Sequence, residues 1–266
     1  MVKRLVSSLV AAVFLCVAIH GAGAASANLA TIQSSKTIKF GWGAWTPYEF
    51  RDMNSGQLKG MLIELANALA AQMNVKAEFV EDNWSTITQG VASGKFNVAI
   101  EGVTMPRQKI VDFSRPLYQT NYTALVLANS KYQTWDQLNQ PGIVIAVPTG
   151  ANVDDQLTTM KAAGTFKGEL VRLKDVGAAV LEMTTGRAAA YAGQEDHLLS
   201  VVAEHPEYRI TKGNYGAEYF SVAMPQGDPE LKAAIDKAIV GVIKNGTMQK
   251  LLADYHAKGT QVGSTQ

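Results

Sequence analysis

From Thr37 onward the chain runs twice through the same order of elements, and that order leaves few folds open. Thr37 to Gly43 (TIKFGWG) reads as a strand. After the turn Asp52-Met-Asn-Ser-Gly56, the stretch Met61 to Met73 places Leu62, Leu65, Ala66 and Leu69 at helical spacing. Val75 to Val80 reads as a strand, Trp84 to Ser93 as a helix ended by Gly94, and Phe96 to Ile100 as a strand. Beyond the apolar run Tyr122 to Leu127 the order begins again. Ile143 to Val147, a helix from about Asn152, Leu170 to Leu173, a helix over Val176 to Thr184, and Ala188 to Ala192 form a second βαβαβ unit. Alternation of this kind is the mark of an α/β protein, and two units of similar length predict two α/β lobes.

The end of the chain indicates how the lobes connect. Glu218 to Met224 is strand-like. Asp228-Pro229 then opens an amphipathic helix with Leu231, Ile235, Ile239, Val242 and Ile243 on one face, and Asn245-Gly246 separates it from a last helix over Met248 to His256. If both helices return to the first lobe, the chain crosses between lobes twice. The expected division is residues 36–127 with 220–258 in one lobe and 130–217 in the other, joined by a two-strand hinge over a cleft.

The first residues are of another kind. Lys3 and Arg4 precede the apolar run Leu5 to Ile19, and small residues follow up to Ala27. This pattern predicts a secretory leader over residues 1–24, cleaved near Ala24. The run is shorter than the ~20 residues that a spanning helix needs. The single cysteine, Cys16, lies inside the leader behind Phe14-Leu15 rather than small residues, so the exported chain is expected to lack a lipid anchor, disulfide or thiol chemistry. The whole chain carries a formal charge of +1, and losing Lys3 and Arg4 lowers it by two, to −1. A near-neutral chain has no electrostatic footprint for nucleic acid. Nor does it hold a phosphate-binding loop, a dinucleotide fingerprint, a histidine cluster at metal-ligand spacing or a nucleophile-elbow motif. No cofactor and no metal are expected.

The stretch GVTMPRQKIVDFSRPLY, Gly102 to Tyr118, adds a specific feature: Arg107 just after a short apolar strand. With it, an ordered set of pieces spans nearly the whole exported chain. It begins with GWGAWTPYEF (Gly41–Phe50), the helix start Gly60-Met-Leu-Ile-Glu-Leu65, Phe79-Val80-Glu81 and Trp84. It continues through Ser93 to Ala99, Arg107, Val111 to Pro116, Pro148-Thr-Gly150, Gly186-Arg187-Ala188 and Asn245-Gly246-Thr247. In this order they resemble the extracellular solute-binding proteins of family 3, the periplasmic amino-acid-binding components of ABC importers.

That resemblance implies a type II periplasmic-binding-protein fold whose lobes close on a small carboxylate-bearing ligand, most often an amino acid or a derivative. It also implies delivery to a membrane permease, and a chain acting as a monomer. An arginine at the place of Arg107 would clamp the ligand's carboxylate, a task suited to a planar guanidinium with paired donors. Thr104 would add a hydroxyl. The amides around Gly150 to Asn152, where a strand meets a helix, would face an anion. Trp45 and Trp84 fall where relatives wall the ligand side chain, and an aromatic wall suits a flat or cationic group.

Two departures bear on the ligand. The spacing Thr104-Met-Pro-Arg107 is about two residues shorter than the family pattern. The aspartate that usually receives the ligand's α-ammonium is replaced by Gln194, leaving Glu195, Asp196 or Glu101 as substitutes. Two other readings stand beside the binding protein. One is an enzyme of the cyclohexadienyl dehydratase kind, which resembles this chain at Tyr132 to Gly142 and His205-Pro206-Glu207, with His197 where that group places a glutamate acid. The other is the sensing domain of a receptor, disfavoured because no apolar span or signalling segment follows Tyr255.

Overall fold

The computed structural model describes residues 25–265, and the expected leader with Cys16 lies outside them. A helix that the sequence reading did not anticipate, α1 (Ala25–Ser35), precedes β1 (Thr37–Trp42). A hairpin of β2 (Phe50–Arg51) and β3 (Leu58–Lys59) leads to α2 (Met61–Gln72), β4 (Lys76–Glu81), α3 (Ile87–Ala92) and β5 (Val98–Gly102). The short α4 (Met105–Gln108) and β6 (Asp112–Phe113) precede the long strand β7 (Tyr118–Leu127). The second half holds α5 (Trp135–Leu138), β8 (Val144–Pro148), α6 (Asn152–Ala162), β9 (Glu169–Leu173), α7 (Val176–Thr184), β10 (Ala190–Gln194), α8 (Glu195–Glu204) and β11 (Tyr208–Ile210). The chain returns through β12 (Ala217–Met224) to α9 (Pro229–Lys244), α10 (Thr247–Asp254) and β13 (Gln261–Val262).

Strand pairing makes the two halves alike. β1 lies between β4 and β5, all parallel, and β8 lies between β9 and β10, again all parallel. In both units the first strand is central, flanked by the other two. β7 joins the halves. It runs antiparallel to β12 over Tyr118–Asn121, then antiparallel to β10 from Tyr122 to Leu125. The return crossing runs beside it, with the Tyr122 N–H bonded to the Gly216 carbonyl and the Tyr215 N–H to the Tyr122 carbonyl. The change of partner between Asn121 and Tyr122 lies inside one strand, whereas the sequence division at 127 falls at that strand's end. A continuous apolar strand carries no mark of where its neighbours change.

Each half has its own core. In the first, α2 and α9 press Leu62, Leu65, Ile239 and Val242 onto Phe40 and Val98, while Ile87, Val91 and Phe96 cover the other face of the sheet. In the second, Trp135, Leu157 and Phe166 cover one face and Met183, Tyr191 and Leu198 the other. Burial of one such side chain stabilises by about 1.5–3 kcal/mol relative to exposure. α9 illustrates the local logic. Asp228 caps its start by accepting the Leu231 N–H at 3.0 Å, Pro229 occupies the first turn, and Gly246 beyond its end takes φ 79°, which favours glycine. Asp228 also accepts from Asn28 Nδ2 at 3.1 Å, which ties α1 to this cap.

α3 starts later than Trp84. Asp82 accepts the Asn83 N–H at 2.8 Å and the Thr86 hydroxyl at 2.6 Å, so residues 84–86 form a turn ahead of the helix. The turn frees the Trp84 indole to reach the Ala44 carbonyl at 3.4 Å.

Candidate ligand-binding cleft

The carboxyl ends of β5, β8 and β10 meet between the halves, the edge at which α/β sheets present ligand sites. The cleft there is narrow, with a cavity volume of about 20 Å³. Trp45, Trp84 and Phe220 line it from the first half, and Ala151, Asn152, Val153, Tyr191 and Gln194 from the second. Trp45 stacks on Phe220 with centroids 5.7 Å apart and meets Trp84 edge-on at 6.0 Å. Gly43 permits this wall, because a Cβ there would lie 2.9 Å from the Trp84 ring.

Opposite the aromatic wall is the start of α6. Its N-cap residue is Ala151, which has no side-chain oxygen to cap the helix. Ala151 to Val153 line the cleft, so the amides of this first turn are presented there without a side-chain cap. Such a turn favours a carboxylate.

Beside these surfaces lies a polar seam. Thr104 caps α4 by accepting the Arg107 N–H at 3.4 Å, and the short helix tucks the arginine inward until it is 4% exposed. Arg107 Nη1 donates to the Gly102 carbonyl at 3.1 Å and pairs with Glu101 at 2.9 Å, while Nη2 donates to the Gly150 carbonyl at 3.1 Å. The Thr104 hydroxyl donates to Asp155 at 3.1 Å. Arg107 and Thr104 therefore bind both lobes at once.

Glu101 is 0% exposed, accepts from Thr88 Oγ1 at 3.0 Å and forms its ion pair with Arg107. Burial raises its pKa, against the opposing charge of Arg107. Asp155 is raised by partial burial in the same way. Neither acid offers a free oxygen edge comparable to that of Glu218, on β12. Glu218 is 4% exposed and accepts a short hydrogen bond from Asn152 Nδ2, and its Oε1 has no hydrogen-bond partner. Burial pushes its carboxyl up to about 7, against the pull of the nearby Tyr122, Asn152, Gln194 and Arg107 groups. Gly102 makes room for the pair, since a Cβ there would collide with both the Glu218 carboxylate and the Asn152 amide.

The residues singled out in the sequence thus fall into three groups. Trp45, Trp84, Asn152 and Gln194 line the cleft. Glu101, Thr104 and Arg107 form the adjoining seam that joins the lobes. Glu195 lies elsewhere, accepting from Asn121 Nδ2 at 2.8 Å on the hinge strand and packing against Gly259. Asp196 is turned the same way, taking hydrogen bonds from the Tyr48 hydroxyl at 2.9 Å and Thr120 at 2.7 Å. Helix α8 explains this, because its first turn docks on β7 rather than on the cleft. Glu218 and Phe220 escaped the sequence reading. Their signal was an acid sharing the inward parity of Phe220 and Val222 on an otherwise apolar strand.

His197 is 0% exposed; its Nε2 lies 2.8 Å from the Thr46 carbonyl, and its ring packs 4.9 Å from Trp45. Burial pushes its pKa down to about 4. It is a neutral ring that joins the lobes beside the cleft.

Comparison with known proteins agrees with this geometry. The family model described as bacterial extracellular solute-binding proteins, family 3, matches residues 38–258. A probable histidine-binding protein of Neisseria gonorrhoeae is 25% identical over 219 residues, covering 80% of each chain. A solved ancestral amino-acid-binding protein, described as a precursor of cyclohexadienyl dehydratase, superposes with a TM-score of 0.75 at 28% identity, covering 85% of this chain and 98% of that one. The substrate-binding protein AbpA of an amino-acid ABC transporter of Streptococcus pneumoniae, solved with L-arginine, gives a TM-score of 0.75 at 26% identity, covering 86% and 99%.

Proposed function

The chain belongs to the bacterial extracellular solute-binding proteins, family 3, and on that premise we propose that it captures a single amino acid by closure of its two lobes and passes it to the permease of an ABC importer. The observation that carries this reading is the pairing of an aromatic wall with an uncapped helix start across one cleft between the two lobes. The ligand's carboxylate lies at the first turn of α6, and its side chain lies against Trp45, Trp84 and Phe220. Arg107 is the second anchor of the carboxylate. When the lobes part, the Gly150 carbonyl leaves with the second lobe and Nη2 is released toward the ligand. A leader over residues 1–24 places this activity outside the cytoplasmic membrane, and the chain works as a monomer.

The same reading assigns no catalytic step. A dehydratase-type acid at His197 would need contact with substrate and a proton to give, and a buried ring with a pKa near 4 has neither at neutral pH. The test is a thermal-shift panel on refolded, ligand-stripped protein, with the common L-amino acids, L-cystine and prephenate. A ligand at ~100 times its Kd adds about 2.7 kcal/mol. A rise in Tm with one or a few amino acids supports the reading. Silence across the amino acids, or turnover of prephenate, refutes it.

A further inference from the structure

Among the acids around the cleft and hinge, Glu218 differs from its neighbours. Glu101 is engaged by Thr88 and Arg107, Asp155 by Thr104 and Arg107, Asp196 by Tyr48 and Thr120, and Glu195 by Asn121. Glu49 sits in the first-lobe interior and accepts the Gly43 N–H at 3.1 Å. Glu218 has one oxygen held by Asn152 and the other with no hydrogen bond, although the residue is 4% exposed. A buried acceptor without a partner is costly, and one beside a cleft is the natural counterpart of a donor that arrives with a ligand.

Its position narrows the donor. Asn152 belongs to the first turn of α6 through its backbone and to Glu218 through its side chain. A ligand whose carboxylate meets that turn therefore presents the substituents of its α-carbon to the Glu218 side of the cleft. Gln194, at the end of β10, is an amide and cannot supply a negative charge there. Arg107, which acts on Glu218, forms its own ion pairs with Glu101 and Asp155, so the seam supplies no cation in direct contact with Glu218. Burial raises the Glu218 carboxyl to about 7, and an arriving ammonium would favour its ionised form.

We propose that Glu218 receives the α-ammonium of the ligand, with Asn152 holding its carboxylate in place, so that the cleft selects α-amino acids over the same acids without the amine. This rests on the amino-acid reading above. The experiment measures, by calorimetry, the affinity of the wild type and of Glu218→Gln for each common L-amino acid and for the acid that differs only by loss of the α-amine. L-arginine is thus paired with 5-guanidinopentanoate and L-histidine with 3-(imidazol-4-yl)propanoate. Loss of one partner of a buried charge pair weakens binding by about 30-fold or more. The expected result is that loss for the amine-bearing ligand alone, with the deaminated acid binding both proteins equally.

Glu218→Asp, which keeps the charge but draws the carboxylate back by one methylene, provides a second route if Glu218→Gln folds poorly, and a smaller loss confined to the amine-bearing ligand is expected of it. Equal weakening of both ligand types, or none, overturns the role of Glu218 while leaving the function intact. A wild type that prefers the deaminated acids, or binds no amino acid, overturns the functional reading and this inference with it.

Discussion

Replacing Arg107 by alanine is expected to cost about 3–5 kcal/mol of stability at neutral pH, because it leaves Glu101 charged, sealed from water and short of its strongest partner. The figure follows from the geometry: Glu101 is 0% exposed, its ion pair with Arg107 is 2.9 Å long, and only Thr88 remains as a side-chain donor. At about 2–4 °C per kcal/mol for a chain of this size, Tm falls by roughly 6–20 °C. The loss depends on pH. Burial already raises the Glu101 pKa, and removing the opposing charge of Arg107 raises it further. A carboxyl with a raised folded pKa favours folding below its unfolded value, and that contribution is lost as pH rises through the folded value. The variant is therefore closer to wild type at pH 5 than at pH 8. Urea unfolding of wild type, Arg107→Ala, Glu101→Gln and the double variant at both pH values closes the cycle. The double variant should recover much of the loss. A deficit under about 1 kcal/mol for Arg107→Ala, or a double variant no better than the single, would refute the claim that the buried pair ties the seam together.

Other consequences can be checked singly. Glu49 is buried and its carboxyl is pushed up to about 8 from an ordinary 4.5, so wild-type stability should fall as pH rises across that window, by on the order of a few kcal/mol; Glu49→Gln should flatten the dependence, and an unchanged profile would contradict it. Asp228→Ala removes the cap of α9 and the bond to Asn28, and chemical denaturation should show a loss of about 1–2 kcal/mol. Gly41→Ala drives a methyl into the Phe96 ring and should destabilise by about 1–3 kcal/mol, which a melting curve resolves. Because Trp45 and Trp84 line the cleft, tryptophan emission should change when an amino acid binds, and the change should weaken in Trp45→Phe.

Local chemistry wrote much of the fold into the sequence. Apolar runs of strand length, helical spacing on α2 and α9, and the breaks at Gly94 and Asn245-Gly246 are short-range signals, so β1, α7 and β12 fall within a residue or two of their expected limits. The aromatic wall was legible for a related reason: Trp45 and Trp84 follow directly from strand ends, where an α/β sheet opens. Pairing across the chain was less legible. Glu101 and Arg107 are near neighbours in sequence, yet nothing local told that they would pair with each other and leave a different acid, 111 residues from Arg107, beside the cleft.

Two α/β units and their order were already written in the sequence, as were candidates to meet a carboxylate, because periodicity and residue type act over a few positions. Tertiary structure decided which charges cancel. Burial and distance set whether a carboxylate is spent on the protein or held for a ligand, and both depend on how β12, α6 and α8 pack rather than on any one segment. That packing turned Glu195 toward the hinge, tied Arg107 across the lobes, and left Glu218 with an open oxygen.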